Sequence, residues 1–277
     1  MVNEIISNMF SGNFLFLVVA CFLAAFIDAI SGGGGLISLP AYLASGIPPH
    51  VALGTNKVSA CIATVASAVK FAKSGKISWT LMRKISIFSF IGACFGVRTI
   101  LLLDSKYLYP ITIVLLVAVL GYTLMNKKMG EVNEFLGLNE KNIFYGRIMA
   151  FIMGFYDGFF GPGTGSFLIF MLIRIFKLDF TNASGNTKIL NLTSNIASVI
   201  LFIYFKKVNY FYSIPIGIVM IFGALLGAKM AVLKGAKFIK PMFLTVTSVV
   251  LFKMVAEAVF HVNLSDVIQD FFMTIIR

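Results

Sequence analysis

Two lysines, Lys57 and Lys188, sit inside apolar stretches of membrane length. An ammonium in lipid is costly, so a chain that keeps one in each half puts both to use. Each lies on a polar helical stripe. Lys57, Thr64 and Ser67 fall at spacings of seven and three, and Lys188, Asn191, Asn195 and Ser198 form a richer version of the same face. An ammonium flanked by amides and hydroxyls suits a small oxyanion. The competing use is an internal ion pair, for which Asp28 and Asp157 are the available carboxylates. Both uses stay open at this level.

The two aspartates open glycine-rich breaks. The first reads Asp28-Ala-Ile-Ser-Gly32-Gly33-Gly34-Gly35, the second Asp157-Gly158-Phe-Phe-Gly161-Pro162-Gly163-Thr164-Gly165. Glycine permits positive φ and lets a ligand approach backbone N–H groups closely. A turn of this kind that opens a helix presents unpaired donors and the positive end of a dipole, which attract an anion. Four successive glycines break a helix, so close packing does not account for them. Packing does account for Gly92/Gly96 and Gly223/Gly227, each pair four apart on one helix face. Asp28 and Asp157 are expected to cap the half-helix amides or to carry a coupling proton, with the cap favoured.

The binding set expected from these arguments is Gly32, Gly33, Gly34, Gly35, Asn56 and Lys57 from the first half. The second half supplies Gly161, Gly163, Thr164, Lys188, Asn191 and Asn195. The remaining polar residues do not carry chemistry. Lys253 and Glu257 suit an intrahelical pair, and His50 and His261 lack companions at metal-ligand spacing. There is no G-x-S-x-G, H-E-x-x-H or Walker pattern, so neither an intramembrane protease nor an ATP-driven pump is supported, and no cofactor is called for.

The elements that position these residues are duplicated. Ala52-Leu-Gly54-Thr55-Asn56-Lys57 matches Ala183-Ser184-Gly185-Asn186-Thr187-Lys188 at a separation of 131 residues. The register holds through Lys76/Lys207, Gly92/Gly223, Gly96/Gly227 and Pro110/Pro241. Each half carries five apolar segments, about 14–30, 36–45, 51–72, 85–103 and 109–124, then 144–160, 167–175, 181–205, 214–232 and 238–259. The second segment of each half is about half the length that the hydrocarbon core requires, and either crosses or re-enters. Residues 1–130 form the first transmembrane repeat, 131–142 a connecting cytoplasmic loop, and 143–277 the second repeat with an interfacial tail after His261.

Composition agrees. Of 277 residues 59% are hydrophobic and 12% charged, about half the charge of a soluble domain. The fold class is therefore an all-α polytopic membrane protein built of two repeats. The net charge of +12 lies in short loops, which suits topology and anionic lipid and not nucleic acid. With inverted halves, fifteen basic residues fall on one side of the membrane and five on the other, three being within segments. This split predicts inverted repeats with both termini outside. The first segment lacks a basic leader and an A-x-A site and reads as retained. The three cysteines lie in apolar segments and read as packing residues. Duplicated, inverted halves with broken helices describe a secondary transporter whose site lies between the repeats.

The Asp–glycine break, the A-x-G-T-N-K motif and the later G-A-x-x-G-x-[RK] motif, all duplicated, resemble the TauE/SafE sulfite exporter family, also described as sulfonate uptake permeases. The resemblance runs from about Phe14 to Val259, with Pro162 and Thr164 departing from the poly-glycine form. It implies a bacterial inner-membrane carrier for small, sulfur-containing anions such as sulfite or organosulfonates. An anion channel and a non-transporting scaffold are the alternatives. The direction of transport, coupling to a proton or to sodium, and homo-oligomer formation stay open.

Overall fold

The computed structural model describes residues 12–102, 132–135, 137–245 and 248. The expected fifth segment of the first half, most of its counterpart in the second half, and the C-terminal tail lie outside the described residues. Eight helices carry the argument: α1 (Gly12–Ser31), α2 (Gly35–Ala44), α3 (Pro49–Lys73), α4 (Trp79–Ile100), α5 (Glu140–Phe159), α6 (Thr164–Phe176), α7 (Phe180–Tyr204) and α8 (Tyr210–Lys234). Five of them (α1, α3, α4, α7 and α8) are long and apolar enough to cross a membrane. The short helices α2 and α6 hold 10 and 13 residues, about 15 and 20 Å, against a hydrocarbon core of about 30 Å. The chain is an all-α polytopic membrane protein.

Local sequence explains the helix limits. Pro49 opens α3, where its missing N–H costs no hydrogen bond, and Gly75 (φ +67°) follows its end. A reciprocal cap between Asn139 and Asn142 opens α5. The Asp179 carboxylate accepts from Asn182 N–H at the start of α7. α4, α5 and α8 each begin four to six residues before the apolar runs, because Arg83 and Lys84, Glu140 to Asn142, and Tyr210 and Tyr212 lower the hydropathy of their first residues.

The halves interlock. α1 lies along α8, α4 along α5, and α3 and α7 pack on each other and on the fourth helix of the opposite half. Small residues permit the close approach. A Cβ on Gly92 or Gly96 would overlap the carbonyls of Phe151 and Phe155 on α5, and one on Gly223 or Gly227 would overlap those of Phe22 and Phe26 on α1. This is the packing role expected of these glycine pairs.

Equivalent residues also make reciprocal contacts across the halves. Gly54, near the start of α3, faces the Lys207 carbonyl just past the end of α7, while Gly185 of α7 faces the Lys76 carbonyl past α3. The hydroxyl of Thr55 accepts from Asn209 N–H (2.9 Å), and the side-chain oxygen of Asn186 accepts from Ser78 N–H (3.0 Å). α3 and α7 therefore run antiparallel. Much of the A-x-G-T-N-K motif holds this joint: its glycine admits a carbonyl, and the residue after it seats the next helix of the opposite half.

Candidate functional site

Both breaks interrupt helices as expected. Gly32 takes φ +78° between α1 and α2, and Gly161 and Gly163 take φ +95° and +84° between α5 and α6. The two turns meet backbone to backbone. Ser166 N–H donates to the Gly32 carbonyl (2.9 Å) and its hydroxyl to the Ser31 carbonyl (3.0 Å), and a Cβ on Gly165 would fall 2.6 Å from Gly32 Cα. Tyr156 OH donates to the Pro162 carbonyl (2.8 Å) and Thr164 OH to the Gly161 carbonyl (2.7 Å), fixing the second turn. At Gly32 the missing side chain serves this crossing of turns, whereas Gly163 has only ordinary van der Waals neighbours and keeps its face open.

Each lysine pairs with the aspartate of the opposite half. Lys57 Nζ lies 2.8 Å from Asp157 Oδ2, and Lys188 Nζ lies 2.7 Å from Asp28 Oδ2. The pairs have different surroundings. Lys57 also donates to Asn195 Oδ1 (3.3 Å), and the Ser194 hydroxyl donates to Asp157 Oδ2 (2.7 Å). Lys188 is wholly enclosed and also donates to the Asp28 carbonyl. Asp28 remains 27% exposed at its side chain and accepts from Gly34 N–H through Oδ1 (3.3 Å), so it caps the break as well as pairing. Asp157 makes no such cap bond among the described residues.

A cavity of about 60 Å³ lies where the breaks and stripes converge. At roughly 30 Å³ for each water in the liquid, it has room for about two waters or one small oxyanion. It is lined by Gly32, Gly34, Gly35, Asn56, Lys57, Gly161, Gly163, Thr164, Asn191 and Asn195, together with both aspartates. Gly33 and Lys188 are buried but do not reach it. Thr64 and Ser67 of the α3 stripe line it too, and Ser38, Phe160, Met220 and Ala224 do so without having been expected. Ser38 could have been found, being one helical turn after Gly34. Met220 and Ala224 carry no polar signal.

The positive ends of α2 and α6 open at this cavity, through Gly34 and Gly35 on one side and Gly163 and Thr164 on the other. The side-chain oxygens of Asn56 and Asn191 are buried there without a hydrogen-bond partner. A carboxamide reverses by rotation about its last bond, so each can present two N–H donors instead. The cavity thus gathers one ammonium, three carboxamides and two helix N-termini from both halves.

The sulfite exporter TauE/SafE family model matches residues 17–254. The chain is 35% identical to a probable membrane transporter protein of Haemophilus influenzae over 240 residues, covering 85% of this chain and 92% of that one. It is 33% identical to the probable membrane transporter protein YfcA of Escherichia coli K12 over 266 residues, covering 92% and 95%. A probable membrane transporter protein of Sinorhizobium, ORF9, is 33% identical over 242 residues, covering 87% and 92%. No solved structure matches. With the duplicated motifs, the multi-pass helical fold and the cavity between its halves, these likenesses identify the chain as a membrane transporter that belongs to the TauE/SafE sulfite exporter family.

Proposed function

We propose that the protein is a secondary carrier of small, sulfur-containing oxyanions, sulfite or sulfonates, across the bacterial inner membrane. The anion sits in the central cavity, and access alternates between the two sides. The observation that carries this reading is the convergence of Lys57, Asn56, Asn191 and Asn195 with the N-termini of two half-length helices on one small cavity. Broken helices whose positive ends face a central site are the means by which membrane carriers hold anions without a water shell. The family description supports the sulfur chemistry. The reciprocal contacts of α3 with α7, and of each lysine with the opposite aspartate, support two inverted repeats that rock about this site, and the fifteen-to-five split of loop charge favours both termini outside.

The reading is tested by thermal stabilisation of the purified protein. Sulfite or an alkanesulfonate at a hundred times its Kd should stabilise the folded state by about 2.7 kcal/mol, while chloride at equal ionic strength should not. A scaffold without a site would respond to none of them.

A further inference from the structure

We infer that transport is coupled to protons, and that Asp157 is the group that carries the proton; this rests on the anion-carrier reading and names its coupling ion. Lys57 and Lys188 are each neutralised by an aspartate, so among the described residues the site has no spare positive charge. Lys188 is enclosed and off the cavity, which leaves Lys57 as the ammonium that an anion can reach. An anion that engages Lys57 competes with Asp157 for it.

Asp157 cannot be left behind as a bare carboxylate. Its side chain is 8% exposed, and its other partner among the described residues is the Ser194 hydroxyl, a neutral donor. An unpaired buried carboxylate is strongly disfavoured, and taking up a proton removes the charge. The balance is then simple: Lys57 and Asp157 sum to zero, an added monoanion makes −1, and one proton on Asp157 restores zero. No bond of the substrate changes. The proton enters from the side that supplies the anion and leaves on the side that receives it. Among the described residues the surrounding groups do not offer an alternative. α3 presents Lys57, with the Cys61 thiol one turn further on; α7 presents Ser194 and Asn195, with Lys188 committed to Asp28; on α4, Ala93 packs on Gly158, Cys94 follows it in the chain, and Arg98 is exposed over the Phe205 ring. The α6 side contributes the neutral turn of Gly161 to Thr164. Asp28, across the cavity, keeps its own ammonium and its Gly34 cap bond.

The experiment uses the full chain in proteoliposomes with a pH dye inside, valinomycin and potassium to clamp the potential, and labelled ethanesulfonate, a strong-acid anion with no proton of its own. Inward ethanesulfonate should acidify the lumen by one proton per anion. Binding to the purified protein should weaken about tenfold per pH unit on the alkaline side, as linkage of one proton to one anion requires. Asp157→Asn should bind with an affinity that no longer varies with pH. Labelled uptake without acidification, uptake that follows sodium in place of protons, or an Asp157→Asn variant with the wild-type pH slope would each overturn the inference while the carrier reading stands. Should the variant not fold, the wild-type proton count decides alone. Absence of labelled flux for both ethanesulfonate and sulfite would overturn the carrier reading itself, and the inference with it.

Discussion

Lys57 on α3 and Asp157 at the end of α5 come from opposite halves of the chain and form an ion pair of 2.8 Å on the wall of the central cavity. The equivalent pair, Lys188 with Asp28, repeats the crossing in the other direction but is turned away from the cavity on its lysine side. One fold thus holds two copies of the same bond with different access. On the carrier reading proposed above, the accessible copy exchanges partners with the anion, while the enclosed copy ties the halves together.

Removing Lys188 should therefore damage stability. Lys188→Met strands Asp28, and breaking a buried pair from one side costs about 3–5 kcal/mol; the partial exposure of Asp28 places this variant toward the lower end. Adding Asp28→Asn should restore part of the loss. Thermal unfolding of the purified single and double variants measures both, and a double variant no more stable than the single would argue against the pair as a clasp.

Removing Lys57 should damage binding above all. Lys57→Met combined with Asp157→Asn leaves no uncompensated charge, so the double variant should fold near wild-type stability and lose sulfite-induced stabilisation. A double variant that sulfite still stabilises fully would move the anion site elsewhere.

The carboxamides should grade the affinity. Asn191→Ala and Asn195→Ala each remove one ligand hydrogen bond, worth about 1.5–3 kcal/mol to a charged partner, or roughly 10–150-fold in Kd. Asn195→Ala also frees one contact of Lys57 and should be the more severe of the two. Titration calorimetry with sulfite or ethanesulfonate provides the comparison.

The turn glycines should separate by role. A Cβ at Gly32 overlaps the Gly165 backbone, so Gly32→Ala should fail to fold or unfold at a much lower temperature. Gly163→Ala meets only ordinary van der Waals contacts with Phe167 and Leu36 and bears the strain of its positive φ, about 1–2 kcal/mol. Comparable melting temperatures for the two variants would contradict the backbone contact between turns.

The membrane class, the duplication and most helices were legible in the sequence, because hydropathy and a repeat at a fixed separation report directly on them. Lys57 and the two breaks were legible for the same reason, as polar or flexible positions where lipid permits neither. The choice of partner was not. Lys57 meets Asp157 only because α3 and α7 run antiparallel and each half's first helix packs on the fourth helix of the other, an arrangement that lies beyond local pattern. The aspartates also fall out of the main register: Asp28 and Asp157 are separated by 129 residues and not 131, because α6 is three residues longer than α2 and the linker after it one shorter. Gly32 was legible as a residue that must lack a side chain. Its reason, the facing Gly165 turn, needed the fold.

Topology has its own check. If the halves are inverted, a cysteine in the loop after Lys76 and one in the loop after Lys207 should react with a membrane-impermeant maleimide from opposite sides. Labelling of both from one side would exclude inversion, since these loops are equivalent positions.

The central claim, a carrier with one saturable anion site, is tested most directly by counterflow. Proteoliposomes loaded with unlabelled sulfite or ethanesulfonate should transiently accumulate the labelled anion above its external concentration, with a rate that saturates and that Lys57→Met combined with Asp157→Asn abolishes. Flux that rises linearly with concentration and shows no counterflow would mark a channel and contradict the account.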